Sequence, residues 1–220
     1  YFRYGYIPSP NCIFEDLYKL EPGHFITIKQ SNLNDFRKSC YWNLEEKIFD
    51  AKFAKSKEFN KSYSQILEMK LNNSIKKRLI SDVPIGAFLS GGLDSTAVVS
   101  LMQSNFSNPI RTFTIGFKEK NYDESTKAKK ISKFLGTEHN EIIIDEDKIL
   151  NLTKKIGSVW DEPFSDMSQI PTLLVNQIAK QDVKVVLSGD GGDELFCGYN
   201  RYLKGLDFYK LFNKKIINSF

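Results

Sequence analysis

No apolar run in these 220 residues approaches the length of a membrane-spanning helix, and the opening Tyr1-Phe-Arg-Tyr4 lacks the layout of a secretory leader. Cysteine is scarce. Cys12, Cys40 and Cys197 are odd in number, far apart, and form no C-x-x-C pair, which argues against zinc and redox-dithiol chemistry and predicts a reducing cytoplasm. Charge of one sign is also in short supply. The 31 Lys and Arg against 27 Asp and Glu leave a net +4, carried largely by lysines within 118–133 and 204–215. Solvated helix faces explain that pattern better than a nucleic-acid stripe, so neither a nucleic-acid nor a membrane partner is expected. Histidine occurs twice. His24 reads as structural on a strand, and His139 as shaping the approach to the next strand, although an imidazole titrates near neutrality. A Walker A loop, G-x-x-x-x-G-K-[ST], is absent.

What is present is a pair of glycine loops. Ser90-Gly91-Gly92-Leu93-Asp94-Ser95 follows the apolar Ile85–Leu89 and precedes a helical pattern from Ser95. A strand, a glycine turn and a helix opening in that order make a phosphate cradle, because glycine lets the backbone approach an anion and first-turn amides point at it. The second loop, Ser188-Gly189-Asp190-Gly191-Gly192-Asp193-Glu194, follows the buried-strand pattern Lys184–Leu187 and gathers three carboxylates within five positions. Crowded carboxylates repel one another, so such a turn usually serves a divalent cation. Either loop alone could be a solvated turn; together they point to one phosphate and metal site.

Periodicity supplies the frame. Leu67, Leu71, Ile75 and Leu79 mark a helix face. Then follow expected strands 85–89, 111–117, 141–144 and 183–187, with helices at 95–103, 123–135, 146–159 and 168–180. Alternating β and α elements predict an α/β fold, a mostly parallel sheet with helices on both faces. Ligands bind such sheets at the carboxyl ends of strands, where both glycine loops lie.

The first loop resembles the PP-loop of ATP pyrophosphatases, which cleave ATP to AMP and pyrophosphate. Both loops, with Asp82-Val-Pro-Ile-Gly86, Thr114-Ile-Gly-Phe117, Tyr122-Asp-Glu124, Leu135-Gly-Thr-Glu-His-Asn-Glu141 and Trp160-Asp-Glu-Pro163, resemble the synthetase domain of glutamine-hydrolysing asparagine synthetases across roughly 1–202. The resemblance implies three regions: a β-rich remnant of an N-terminal-nucleophile glutaminase domain at 1–44, a linker at 45–61, and an incomplete PP-loop domain at 62–220. It implies ATP and Mg²⁺ as cofactors, L-aspartate and ammonia from glutamine as substrates, a cytoplasmic enzyme, and leaves a homodimer open.

By position in that family pattern, Phe88, Ile115 and Gly189 would line the adenosine site. Ser90, Gly91, Gly92, Asp94 and Ser95, with Ser188 opposite, would hold the phosphates. Asp94 and Asp193 would bind Mg²⁺, and Asp190 with Asp193 would form the catalytic set. Asp190 stands where the better-studied synthetases carry glutamate, and Gly192 where they carry serine. The family's glutaminase uses an N-terminal cysteine, but residue 1 is Tyr, and its charge-meeting lysine falls beyond Phe220. Both ends therefore read as incomplete. Aspartate is the leading acceptor; another carboxylate, or an inert truncated chain, remains an alternative. Asp161-Glu162 and Arg201 could each face a ligand but are as well explained by local structure, and Trp160, Phe164 and Tyr199 by packing.

Overall fold

The computed structural model describes residues 1–53, 62–118 and 123–217; Tyr122 of the motif above and part of the expected linker lie outside them. The chain divides into two compact units, Tyr1–Ser62 with Asn151–Gln169, and Tyr63–Leu150 with Ile170–Phe220.

In the first unit, β1 (His24–Lys29) and β2 (Asn32–Cys40) form an antiparallel ribbon in which His24 faces Cys40 and Ile28 faces Phe36. The apolar alternation of Phe25-Ile-Thr-Ile28 announces β1. Its partner, Asn-Leu-Asn-Asp-Phe-Arg-Lys-Ser-Cys, is too polar to announce itself. Helix α1 (Leu44–Phe53) opens with Glu45 and Glu46, which complement its dipole. The single helix expected over 146–159 is instead two, α5 (Glu146–Thr153) and α6 (Ile156–Val159). They part where the Lys155 amide bonds Leu152 O at 2.9 Å in a tight turn. Within this unit Glu162 pairs with Lys19 and accepts the Ile13 amide at 2.8 Å. Trp160 meets Phe164 edge-on with centroids 5.2 Å apart. Both are packing roles.

The second unit runs α2 (Tyr63–Arg78), β3 (Ile85–Phe88), α3 (Leu93–Ser104), β4 (Arg111–Phe117), α4 (Ser125–Leu135) and β5 (Glu138–Ile144). After the excursion through α5 and α6 come α7 (Gln169–Asp182), β6 (Val185–Leu187), α8 (Gly192–Phe196) and α9 (Asn200–Ile217). The strands form one sheet in the order β5-β4-β3-β6, and every neighbouring pair is parallel. β5 begins three residues before the expected position, since Glu138, His139 and Asn140 pair with Arg111, Thr112 and Phe113. Polar residues are tolerated there because β5 is the outermost strand of this sheet.

Strand alternation sorts the core. Ala87 and Leu89 pack with Ile75 of α2, Val99 and Met102 of α3 and Ala128 of α4. Phe113 packs on the opposite side with Val175 and Ala179 of α7 and Val183, joined by Phe88 and Ile115. Helices thus cover both faces. Right-handed crossovers require this: the chain steps one way from β3 to β4 and β5, then returns past β3 to β6, which puts α7 on the other face.

Candidate functional site

The order β5-β4-β3-β6 reverses direction between β3 and β6, and at such a point the loops leaving two neighbouring strands part to opposite sides and open a crevice. The two glycine loops leave these two strands.

The first loop is built outward from β3. The amide of buried Leu89 still bonds Phe113 O at 3.0 Å, so sheet pairing persists to the last residue before the turn. Ser90 and Ser95 then lock the turn. Their hydroxyls lie 3.0 Å apart, the Ser90 amide donates to Ser95 Oγ at 3.3 Å, and the Gly92 amide donates to Ser90 Oγ at 3.2 Å. Gly91, at φ +83°, turns its back on α4, where a Cβ would sit 2.9 Å from Lys127 Cβ. A side chain would be strained there by conformation and by contact. Gly92 caps α3, and no side chain caps that helix end, so its first-turn amides remain available to an anion.

The second loop lies directly on the first. A Cβ on Gly189 would stand 2.7 Å from the Ser95 amide nitrogen, and one on Gly192 would overlap the Asp94 carboxylate. Only glycine permits this closeness. The Asp190 amide donates to Ser188 Oγ at 3.4 Å, and Gly191, at φ +88°, turns the chain into α8. Asp193 is held from its own exit: Gly198 packs against its carboxylate, and the Gly198 amide bonds Asp193 O at 2.9 Å. Beyond it, Tyr199 Oη donates to Glu194 at 2.8 Å, and the Arg201 guanidinium stacks 4.0 Å above the Tyr199 ring. The Tyr199 hydrogen bond holds the Glu194 carboxyl below its ordinary range and pushes the phenol up. Arg201 and Tyr199 thus brace the loop exit.

Between the loops lies a cleft of about 580 Å³. Of the residues singled out in the sequence, Phe88, Ser90, Gly92, Asp94, Ser95, Ser188, Gly189, Asp190 and Asp193 line it. Gly91 stands behind the loop. Ile115 lies instead in an apolar hollow of about 230 Å³, with Phe113, Phe117 and Val175. The two spaces share Phe88, Ser90 and Glu124, so they adjoin. Phe113 and Phe117 were within reach of sequence reasoning, since they alternate with Ile115 on one face of β4. Pro171, Thr172 and Val175 come from α7, which no local pattern links to the loops.

Asp94, Glu124, Asp190 and Asp193 all line the cleft, and among the described residues no lysine or arginine does. Among the described residues no three His, Cys, Asp or Glu side chains gather closely enough to enclose a metal ion. The pair Asp94 and Asp193 suits Mg²⁺, which takes one or two carboxylates and completes its shell with phosphate oxygens and water. His139 stands elsewhere, on β5, its Nδ1 3.0 Å from Thr112 Oγ1. His24 Nδ1 lies 3.0 Å from Pro22 O in the first unit.

The sequence profile of the asparagine synthase family matches residues 67–214. A Methanocaldococcus jannaschii protein, whose provisional name is glutamine-hydrolysing asparagine synthetase 2, is 40% identical over 96% of this chain and 40% of its own length. Glutamine-hydrolysing asparagine synthetase 1 of Bacillus subtilis is 32% identical over 94% of this chain and 31% of its own. Amidase chry2 of Gibberella zeae is 27% identical over 86% of this chain and 30% of its own. The chain therefore spans well under half the length of these relatives.

Proposed function

Because the chain belongs to the asparagine synthase family, we propose that its paired loops form the adenylating half of an ATP-dependent amide ligase, with aspartate as acceptor. The observation that carries this reading is the fit of Gly189 and Gly192 against Ser95 and Asp94, which makes one cleft of two strand-end loops.

Aspartate's side-chain carboxylate does not react with ammonia unaided, because its oxygen is a poor leaving group. In the proposed reaction a carboxylate oxygen attacks the α-phosphorus of ATP and pyrophosphate departs, leaving β-aspartyl-AMP. Ammonia, supplied from glutamine in the longer relatives' manner, then adds to the acyl carbon, loses a proton and expels AMP as asparagine forms. The adenine would occupy the apolar hollow against Phe88 and Ile115, with Gly189 close to the ribose. The backbone amides of 90–94 and the hydroxyls of Ser90 and Ser95 would receive the pyrophosphate, with Ser188 facing them. Fixed donors aimed at developing charge are the strongest contribution a protein makes to such a step. Asp94 and Asp193 would hold Mg²⁺, which neutralises phosphate charge when bound. Asp190, near the departing proton, would act as its acceptor. Residues 62–220 would constitute this adenylating domain, following a glutaminase remnant at 1–44 and a linker at 45–61.

Aspartate labelled with ¹⁸O in its β-carboxylate tests the pathway: one label should appear in AMP for each asparagine formed. Label in inorganic phosphate would instead indicate phosphoryl transfer. A second reading keeps the adenylation and changes the acceptor. It is favoured by Asp190 in place of the family glutamate and by the kinship with proteins named amidases. AMP formation with a different carboxylate, and none with aspartate, would establish it.

A further inference from the structure

Three residues line both the apolar hollow and the polar cleft, and of these Glu124 alone is ionisable. Its place is set from both sides. Asp123 Oδ1 accepts the amides of Phe117 at 3.3 Å and Ser125 at 3.1 Å, which fastens the end of β4 to the start of α4. Glu124 O accepts the amides of Lys127 and Ala128 at 3.0 and 3.1 Å. Gly116 leaves the room for this turn, since a Cβ there would be 2.9 Å from Ser125 Oγ. The Glu124 side chain itself caps nothing, and among the described residues it takes part in no hydrogen bond or ion pair.

We propose that Glu124 reads the ribose of the bound nucleotide, accepting hydrogen bonds from its 2′- and 3′-hydroxyls and so selecting ribonucleotides over deoxyribonucleotides. The inference rests on reading the two spaces as a nucleotide site. A nucleotide with its base in the hollow and its phosphates on the glycine loops must place its sugar beside the residues the two spaces share. Phe88 offers that sugar only apolar contact. Ser90 Oγ, 3.0 Å from Ser95 Oγ, is a hydroxyl assigned above to the pyrophosphate. An ionised carboxylate only accepts hydrogen bonds, and it repels phosphate. ATP carries two kinds of donor, the adenine amino group and the ribose diol, and of these the diol is the one that lies between base and phosphates, where the shared residues stand. Hydrogen bonds to a charged acceptor are roughly twice as strong as neutral ones, which makes the contact selective.

Direct binding tests this without turnover. Isothermal titration of the 220-residue chain with Mg-ATP, Mg-2′-deoxy-ATP and Mg-3′-deoxy-ATP should show a preference for ATP of about ten-fold or more. In Glu124→Ala the three nucleotides should bind alike, ATP losing most and each deoxynucleotide, which keeps one of the two hydroxyls, losing less; Glu124→Gln, which keeps one acceptor oxygen, should retain part of the preference. Because Glu124 is exposed, both variants should melt at the wild-type temperature. Equal binding of all three nucleotides by the wild type overturns the assignment and leaves the nucleotide site standing. So does a Glu124→Ala variant that keeps the preference. Failure of the wild type to bind any of the three overturns the nucleotide site itself.

Discussion

At the scale of single residues, the glycines decide the site. Gly189→Ala places a methyl group where the Ser95 amide nitrogen leaves only 2.7 Å, and backbone cannot step aside as a flexible side chain can. The variant should fold, because the change lies at a cleft rim, but should bind Mg-ATP at least about ten-fold more weakly as the loops are forced apart. Titration with nucleotide beside a thermal melt separates the two effects. The two loops drew notice because they occur as a pair at strand ends; either alone is an ordinary glycine and aspartate turn. Phe113 was not named in the sequence, and Phe117 and Glu124 stood there only within motifs and without a role at the site, though each touches the same spaces. A carboxylate at a helix start has an ordinary explanation in the dipole, and only the turn built by Asp123 and Gly116 turns it toward the cleft.

Among elements, the parallel strands were readable from their apolar runs, and the helices between them from their periodicity. What escaped was whatever drew its structure from a distant partner. β2 has no apolar face of its own and exists through its ladder to β1. The first residues of β5 are polar and become strand by pairing with β4. The cores on the two faces are the sheet's main support. Phe113, fully buried beneath α7, should cost about 3–5 kcal/mol when cut to alanine, as read by urea unfolding.

β5 also carries a pH signature. Burial lowers the His139 pKa from its ordinary 6.5, the nearby Glu141 opposing this and Lys129 adding to it, while Nε2 has no partner among the described residues. The folded state therefore resists a proton that the unfolded chain takes up. Stability from this group is complete above about pH 6.5 and declines as pH falls through that value toward the lowered folded pKa. His139→Gln should flatten the fall in melting temperature between pH 7.5 and 5. The loss from carboxylates held low by hydrogen bonds, such as Asp123 and Glu194, belongs to a lower window, below about pH 4.5.

For the whole molecule, charge is the governing consideration. Among the described residues the cleft presents four carboxylates and no basic side chain, yet the proposed ligand is a polyanion. Backbone amides alone do not balance that repulsion, so nucleotide binding should depend on the divalent cation. ATP affinity should fall by at least about a hundred-fold on removing Mg²⁺ with EDTA, and Asp193→Asn should lessen the dependence; an unchanged affinity without metal would refute the role given to Asp94 and Asp193.

The proposed adenylating chemistry is tested most directly by the nucleotide products formed from Mg-ATP, L-aspartate and ammonium. The paired loops predict AMP and pyrophosphate in equal amounts, dependent on the acceptor and reduced in Gly189→Ala. ADP and inorganic phosphate in their place would contradict the account.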